Sequence, residues 1–392
     1  MDNIPLCART SEPLHICHVV PYDLAVEAGG IKRHVQHLAD AQRGLGDRVT
    51  IIGPSSGPLE DPHMHGFGGV VSIQGNGGNN LLGLLVSPRK LRQFFGLHGF
   101  DVLHLHEPQT PLLPYWATWM ARKLPKVATF HAYSEGDTAL RARKLVGALL
   151  SPWIQRGIAV SNSAARYAQP AWNQALRVIP NGVDTAVFTP ARRQAAPSVG
   201  TAQRPLKLLF VGQISDARKG ARYMLEAYRR LRAQQVEVTL DLVGDVGSFA
   251  PLPKMPGLTV WNALSLADLA ARYRETDIFV APSTGQESFG MVLLEAMASA
   301  KPVVCSAISG YCDVINPAGA SVVPPADAEA LAAALRRLVE APQAVRDAMG
   351  AANLRCAQTY DWNKLVHLIR TEYAAALQTT PSLQPAAQAA PC

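Results

Sequence analysis

The feature that most constrains this chain is a rhythm. Short apolar runs, each one strand long, alternate with segments that have room for a helix, and the series plays through twice. The first opens at residues 14–20 (LHICHVV) and ends in a Pro21-Tyr22-Asp23 turn; Gly29 and Gly30 then lead into a helix-like stretch ending near Gly46. Strand-like runs follow at 49–52, 101–106, 127–130 and 158–160. The second series starts at 206–211, continues with a helix carrying Ala221, Met224, Leu225, Tyr228 and Leu231 at helical spacing, and adds runs at 238–243, 277–281 and 302–305. Apolar runs bounded by turns read as buried strands, and their alternation with helices predicts parallel sheets covered on both faces.

Between the two series, residues 186–205 are rich in Pro, Ala and polar residues without periodicity and read as a linker. The chain has 392 residues, more than a single core holds, since cores stop growing near ~250–300 residues. The predicted fold class is therefore α/β, with two doubly wound, Rossmann-like domains facing across a cleft: residues 1–185, then 206–360. A helix at 361–378 is expected to pack back on the first domain, and residues 379–392 form a loose Pro/Ala/Gln tail. In sheets of this kind ligands bind beyond the carboxyl ends of the strands, so the cleft is where chemistry is expected.

Composition excludes several classes. With 48% hydrophobic and 17% charged residues the chain is not a disordered one, and no run reaches the ~18 apolar residues of a membrane-spanning helix. The first residues lack a basic-then-apolar leader, and the six cysteines form no C-x-x-C pair, so a soluble protein of a reducing cytoplasm without a zinc ribbon is expected. The net charge of +7 suggests an anionic partner. No nucleic-acid motif interleaves with the basic residues, which makes nucleic acid the least suitable partner.

The loops narrow the chemistry. Neither G-x-G-x-x-G after the first strand nor G-x-x-x-x-G-K-[ST] occurs, which removes the best support for dinucleotide and P-loop readings. Residues 282–297 (PSTGQESFGMVLLEAM) follow a strand and open a helix. Backbone N–H groups near Phe289, Gly290 and Met291, with the positive helix end, suit an anion such as a sugar diphosphate. Glu287 lies in the preceding loop, while Glu295, within an otherwise apolar run, is placed to accept hydrogen bonds from ribose hydroxyls. His131 stands at a strand end facing the expected cleft. The spaced pairs His34/His37, His63/His65 and His104/His106 have no Cys or carboxylate at ligand spacing and are assigned to structure or polar surface.

The two glutamates eight residues apart in ESFGMVLLE resemble the E-x7-E motif of retaining GT-B glycosyltransferases of family 4. Residues 178–184 (VIPNGVD) look like that family's segment before the linker, Arg218-Lys219-Gly220 like its basic loop and Asp361-Trp362 like the start of its closing helix; the resemblance covers roughly residues 14–377. Through Gly29-Gly30, residues 104–108 (HLHEP), 128–131 (ATFH) and 284–290 (TGQESFG), it is greatest to phosphatidylinositol α-mannosyltransferases. The resemblance implies that Gly30 adjoins the donor diphosphate, that Lys219 binds it, and that His131 meets the transferred sugar. Glu287 would bind the sugar hydroxyls and Glu295 the ribose. It also implies chemistry without a metal cofactor, in keeping with the lack of any D-x-D sequence.

The chain departs from that pattern at Gln213, where the family's basic loop starts with Arg, leaving Arg218 to substitute as the second diphosphate cation. Leu266 and Leu269 stand where similar guanosine-diphosphate users have Asp and Lys. On the acceptor side, residues 87–95 (SPRKLRQFF) join Arg89, Lys90 and Arg92 to Leu91, Phe94 and Phe95; most such helices are a core stripe with a solvated basic side, but the resemblance, whose lipid-modifying members have a similar basic helix here, implies contact with an anionic bilayer. Arg141, Arg143 and Lys144 extend the patch. Lys32, Arg33 and Gln109 are candidates to meet the acceptor, although phosphatidylinositol-specific relatives have Gln and Asn in place of Lys32 and Gln109.

The expected partners are a nucleotide-sugar donor, a lipid-linked acceptor and the anionic inner face of the cell membrane, with the protein cytoplasmic and peripherally bound there. The leading reading is transfer of mannose from GDP-mannose to a phosphatidylinositol-type or polyprenyl-diphosphate acceptor. A UDP sugar as donor, and a non-catalytic nucleotide-sugar sensor, stand beside it.

Overall fold

The computed structural model describes residues 12–25, 29–75, 78–84, 86–136, 139–191, 204–247, 252–262 and 264–379. Residues 192–203 of the expected linker and 380–392 of the expected tail lie outside the described residues. The first sheet is built from β1 (His15–Val19), β2 (Arg48–Gly53), β3 (Met64–Gly66), β6 (Val102–His106), β7 (Lys126–Phe130), β8 (Arg156–Ala159) and β9 (Leu176–Val178); β4 (Gly69–Gly75) and β5 (Gly78–Leu84) form a separate hairpin. Its helices are α1 (Gly30–Gly44), α2 (Pro88–His98), α3 (Leu113–Met120), α4 (Leu140–Leu150) and α5 (Asn162–Ala168). The second sheet holds β10 (Leu206–Val211), β11 (Val238–Val243), β12 (Leu258–Trp261), β13 (Ile278–Ala281), β14 (Val303–Ser306) and β15 (Ala320–Val323). Around it run α6 (Ala221–Ala233), α7 (Leu266–Glu275), α8 (Met291–Ala298), α9 (Ser309–Cys312), α10 (Ala328–Glu340) and α11 (Gln343–Ala357), and α12 (Trp362–Thr379) closes the described chain.

Both sheets are parallel throughout, in the orders β3-β2-β1-β6-β7-β8-β9 and β12-β11-β10-β13-β14-β15. In each, the first strand of the series sits centrally and the order reverses beside it, between β1 and β6 and between β10 and β13. The two Rossmann-like units predicted from the rhythm are present. Their central strands are buried along nearly their whole length, as the continuous apolar runs require. The pieces that the sequence did not announce are short or glycine-rich: β3 and β9 are three-residue edge strands, and the β4–β5 hairpin reads GVVSIQG and GNNLLGL.

The helix after Asp361 returns to the first sheet. Trp362, Leu365, Val366, Ile369 and Tyr373 of α12 share a core with Ile16, Leu38, Val102, Val127 and Ile158. A buried pair between Arg370 and Asp47 fixes the helix to the turn after α1. The two crossings between the units run side by side: Val183 forms a parallel bridge with Asp361, Val183 N donates to Tyr360 O at 2.9 Å, and the Thr185 hydroxyl donates to the Asp361 carboxylate. Gly182 leaves the room that Trp362 fills, since a β-carbon there would lie 2.5 Å from the indole. Trp362→Ala should cost about 3–5 kcal/mol, read as a lower urea midpoint. A loss within the error of wild type would mean that α12 is held by its other contacts alone.

Candidate active site

The loops that leave the central strands on the carboxyl side face one another. From the first unit come the glycine pair after β1, Glu107 after β6 and His131 after β7; from the second come the basic loop 212–220 after β10 and the loop 282–290 after β13. A β-carbon placed on Gly30 would meet Met291 Sδ at 3.8 Å, so the start of α1 lies against the start of α8. Arg33 and Glu295 pair across this junction at 3.7 Å. Further along, Ser161 Oγ donates to the Ser288 carbonyl at 2.5 Å, and the backbone N–H and hydroxyl of Ser163 both donate to Asp313 Oδ2 at 2.7 Å.

The second unit packs its basic loop directly on the two-glutamate loop. Thr284 N donates to Arg218 O at 2.7 Å, and Gly220, at φ 76°, is pressed so closely on Pro282 that a β-carbon would fall 2.0 Å from its carbonyl oxygen. This puts the Lys219 ammonium on the Glu287 carboxylate. Arg218 instead folds back on Asp216, with Nε 3.1 Å from Oδ1 and a terminal nitrogen 2.7 Å from Oδ2. Gln213 is exposed. Gly290, at φ 94°, precedes α8 and supplies no side-chain cap, while Phe289 is turned into the core. Glu295 is buried: desolvation raises its carboxyl above the usual range, partly offset by Arg33 and by the Tyr273 hydroxyl, which donates to Oε2 at 2.8 Å. Leu266 is exposed at the start of α7, whereas Leu269 belongs to the core and does not face a base-binding surface.

In the first unit the structure assembles a buried histidine network that sequence spacing missed. His18 and His104 are register partners on β1 and β6, and His106 follows His104 on the same face. His131 Nε2 lies 3.1 Å from His106 Nδ1, His106 Nε2 lies 3.0 Å from His18 Nδ1, and His18 Nε2 meets Gln42 Oε1 at 2.8 Å. Gln42 Nε2 donates to the Tyr373 hydroxyl at 2.8 Å, and His104 bridges Tyr373 and Thr129 at 2.7 Å each. His34 is held through Nδ1 by Asn181 at 2.7 Å, its Nε2 has no hydrogen-bond partner, and its ring stands edge-on to His131 at 4.7 Å. The trios His18/His104/His106 and His34/His106/His131 each bring nitrogens within 4.8 Å of one another, close enough to hold an ion. Of the spaced pairs, His34, His104 and His106 are thus core residues, while His63 is exposed. The alternation at 104 and 106 was the available signal. Gln42, Asn181 and Tyr373 gave none, because their partners come from remote parts of the chain.

Glu107 orients His131 through the backbone: its Oε1 accepts from the N–H of His131 and, at 2.6 Å, from that of Ala132, and burial raises its carboxyl. Beside it, a cavity of about 160 Å³ is lined by Tyr22, Glu107, Gln109, Ala132, Arg143 and Tyr167. Arg143 stacks 3.8 Å over the Tyr167 ring and donates to Gln109 Oε1 at 3.1 Å. A larger hollow of about 410 Å³ sits at the β3 edge, lined by His65, Phe67 and Phe94, among residues that take no part in the facing loops.

Two expectations for the acceptor side need correction. Lys32 is buried, and its ammonium donates to Leu24 O at 2.5 Å, so it does not reach out to an acceptor phosphate. In α2, Leu91 and Phe95 are core residues and Phe94 packs on Phe67 and His98, so most of the apolar side of this helix is already used; Leu97 is exposed, as are Arg89, Lys90 and Arg92. The helix is fixed this way because Ser87 caps it and Pro88 starts it with Leu91 toward the sheet. Arg33, exposed on α1, is spent on Glu295.

Desolvation holds the network imidazoles neutral: His18 is lowered to about 4 and His34 to about 3, with His104, His106 and His131 well below the usual range. In the unfolded chain the same rings titrate near ~6.5, so below that pH the unfolded state binds more protons. Stability should be fully present above pH ~6.5 and decline toward pH ~4, by about 1.4 kcal/mol per pH unit for each imidazole held neutral. Denaturant unfolding at pH values across this window checks it. A flat profile would mean that the network is charged or already hydrated.

The facing loops and two parallel sheets match known proteins. Residues 28–187 fit the family model described as Glycosyltransferase Family 4, and residues 205–341 that of Glycosyl transferases group 1. The phosphatidyl-myo-inositol mannosyltransferase of Mycobacterium leprae (strain TN) is 32% identical over 374 residues, which cover 92% of this chain and 96% of that protein. The same-named protein of Propionibacterium freudenreichii subsp. shermanii is 30% identical over 92% of this chain and 94% of its own length. Among solved structures, a glycosyltransferase from Rickettsia africae aligns at TM-score 0.72 with 19% identity, over 94% of this chain and 99% of that one. Anabaena HepE, solved with UDP and glucose, aligns at 0.71 with 20% identity, over 92% of this chain and 100% of that one. By this likeness along nearly its whole length, and by its two facing Rossmann-like units, the chain belongs to the family 4 glycosyltransferases of GT-B fold and is a hexosyltransferase.

Proposed function

We propose that the chain transfers mannose from GDP-mannose, with retention at the anomeric carbon, to a lipid-linked acceptor of phosphatidylinositol or polyprenyl-diphosphate type at the anionic inner face of the membrane. The observation that carries this reading is the contact between Lys219 and Glu287 at the mouth of the second unit, in a cleft whose opposite wall holds His131. The names of the mannosyltransferase relatives support the sugar and the kind of acceptor.

The chemistry follows from those groups. Breaking the bond between sugar and diphosphate places negative charge on the leaving nucleotide and positive character on the sugar. Lys219 and the uncapped start of α8 face the first of these, and Glu287 the sugar hydroxyls. Lys219 is paired with Glu287, Arg218 with Asp216 and Arg33 with Glu295. A diphosphate entering the cleft exchanges with Glu287 for Lys219, which releases Glu287 toward the sugar, and a ribose exchanges with Arg33 for Glu295. His131, its ring held by His106 and its backbone by Glu107, meets the transferred sugar. The lipid headgroup takes the cavity of Gln109 and Arg143 next to it. We assign no metal to the reaction, since Lys219 is placed to take the diphosphate charge.

Lys219→Ala and Glu287→Gln should each lower kcat by about 10²–10³-fold, read as mannolipid formed by a membrane extract. Wild-type rates in both would end this reading. GDP at a hundredfold excess over Kd should stabilise the protein by about 2.7 kcal/mol, seen as a rise in Tm that UDP does not produce; a shift with UDP alone moves the donor to a UDP sugar. EDTA should leave transfer unchanged, whereas a loss restored by Zn²⁺ would give the histidine trios a metal.

A further inference from the structure

We propose that helix α4, rather than the basic helix α2, is the face by which the protein rests on an anionic lipid bilayer. Leu145 and Leu149 on α4 are 64% and 52% exposed, and Trp153, four residues further on, is 37% exposed. This spacing places the three side chains along one side of a helix and the turn that follows it. The rim is cationic: Arg141 and Lys144 are exposed, and Arg122 lies 5.5 Å from the centre of the Trp153 ring. No acidic residue occurs between Asp137 and Asp184. Exposed leucines and a tryptophan ringed by cations match the boundary between acyl chains and anionic headgroups.

The opposite side of the same helix supports the assignment. Arg143, Gly147 and Leu150 face inward; Gly147 sits so close to the Ala171 carbonyl that a β-carbon would fall 1.8 Å from its oxygen, and Arg143 lines the cavity beside His131. One helix therefore presents the acceptor cavity on its inner side and an apolar stripe on its outer side. A headgroup in the cavity can keep its tails in the bilayer on which α4 lies. In α2, Leu91 and Phe95 are in the core and Leu97, 74% exposed, stands alone as an apolar side chain at the surface, so that helix offers one apolar contact beside its cations where α4 and the turn after it offer three in a row. The inference rests on the reading that the acceptor is a lipid.

The test is co-sedimentation of the full-length protein with vesicles of phosphatidylcholine alone or with phosphatidylglycerol. Wild type should bind the anionic vesicles, and Leu145→Glu/Leu149→Glu should bind about tenfold less, with an unchanged Tm shift from the donor nucleotide to show an intact fold. Quenching of tryptophan fluorescence by brominated acyl chains should disappear in Trp153→Phe. Binding lost in Arg89→Glu/Lys90→Glu/Arg92→Glu but kept in the α4 variant overturns the proposal, as does light scattering in which the α4 variant converts a dimer to a monomer. No vesicle binding by wild type, with transfer to detergent-dispersed lipid intact, overturns the docking alone; absence of both also removes the lipid-acceptor reading.

Discussion

Exclusion of water from the histidines beneath the cleft is the constraint on which the first unit depends. Five imidazoles drawn from β1, α1, β6 and the end of β7 are packed so that their polar atoms meet mainly one another, Gln42, Thr129, Asn181 and Tyr373. Such a network is stable only while it is dry and neutral, because one stray charge among rings 4.4–5.5 Å apart would lack compensation. What keeps it dry is α12, which comes from the far end of the chain. Tyr373 plugs the network at one end and Trp362 covers His34 at 5.1 Å. The helix α12 thus reaches His131 through four hydrogen bonds, by way of Gln42, His18 and His106, and without touching it.

Electrostatics organises the cleft in a different way. Here the charges are partly solvated and paired across short gaps: Lys219 with Glu287, Arg218 with Asp216, Arg33 with Glu295. The pairs keep the cations from being isolated; the cations retain access to water, whereas Asp216 and Glu295 are buried, so breaking those two pairs costs more than breaking Lys219–Glu287. Gln213 leaves the basic loop one cation short, so in the proposed reading a diphosphate would depend on Lys219 and on whether Arg218 leaves Asp216.

Much of this was legible in the residues. The strand runs at 206–211 and 238–243 coincide with β10 and β11, because strands covered on both faces are mostly apolar, interrupted here only by Lys207 and by Thr239 and Asp241. The loop 282–290 and the start of α8 were legible through glycine and the two glutamates. Lys32 was not: a lysine in a first helical turn reads as solvated, whereas here its ammonium turns inward to the carbonyl of Leu24 in the turn after β1. Nor could α2 be told from a surface helix, since a Leu/Phe stripe looks the same whether it meets a sheet or a membrane. On α4 the opposite held, because the pressure of Ala171 on Gly147 decides which side points outward.

The paired crossings at Val183 and Asp361 have a mechanical consequence. Two chain segments tied by a parallel bridge of two backbone hydrogen bonds and by the Thr185–Asp361 bond form a short axle, so sliding of the units past one another would break it whereas rotation about it would not. Gly30 and Met291 lie at the free edge, where a small rotation gives a large displacement, whereas Trp362 lies at the spine and hardly moves. A rotation of this kind would open the free edge while leaving the histidines packed against Trp362 and Tyr373 covered.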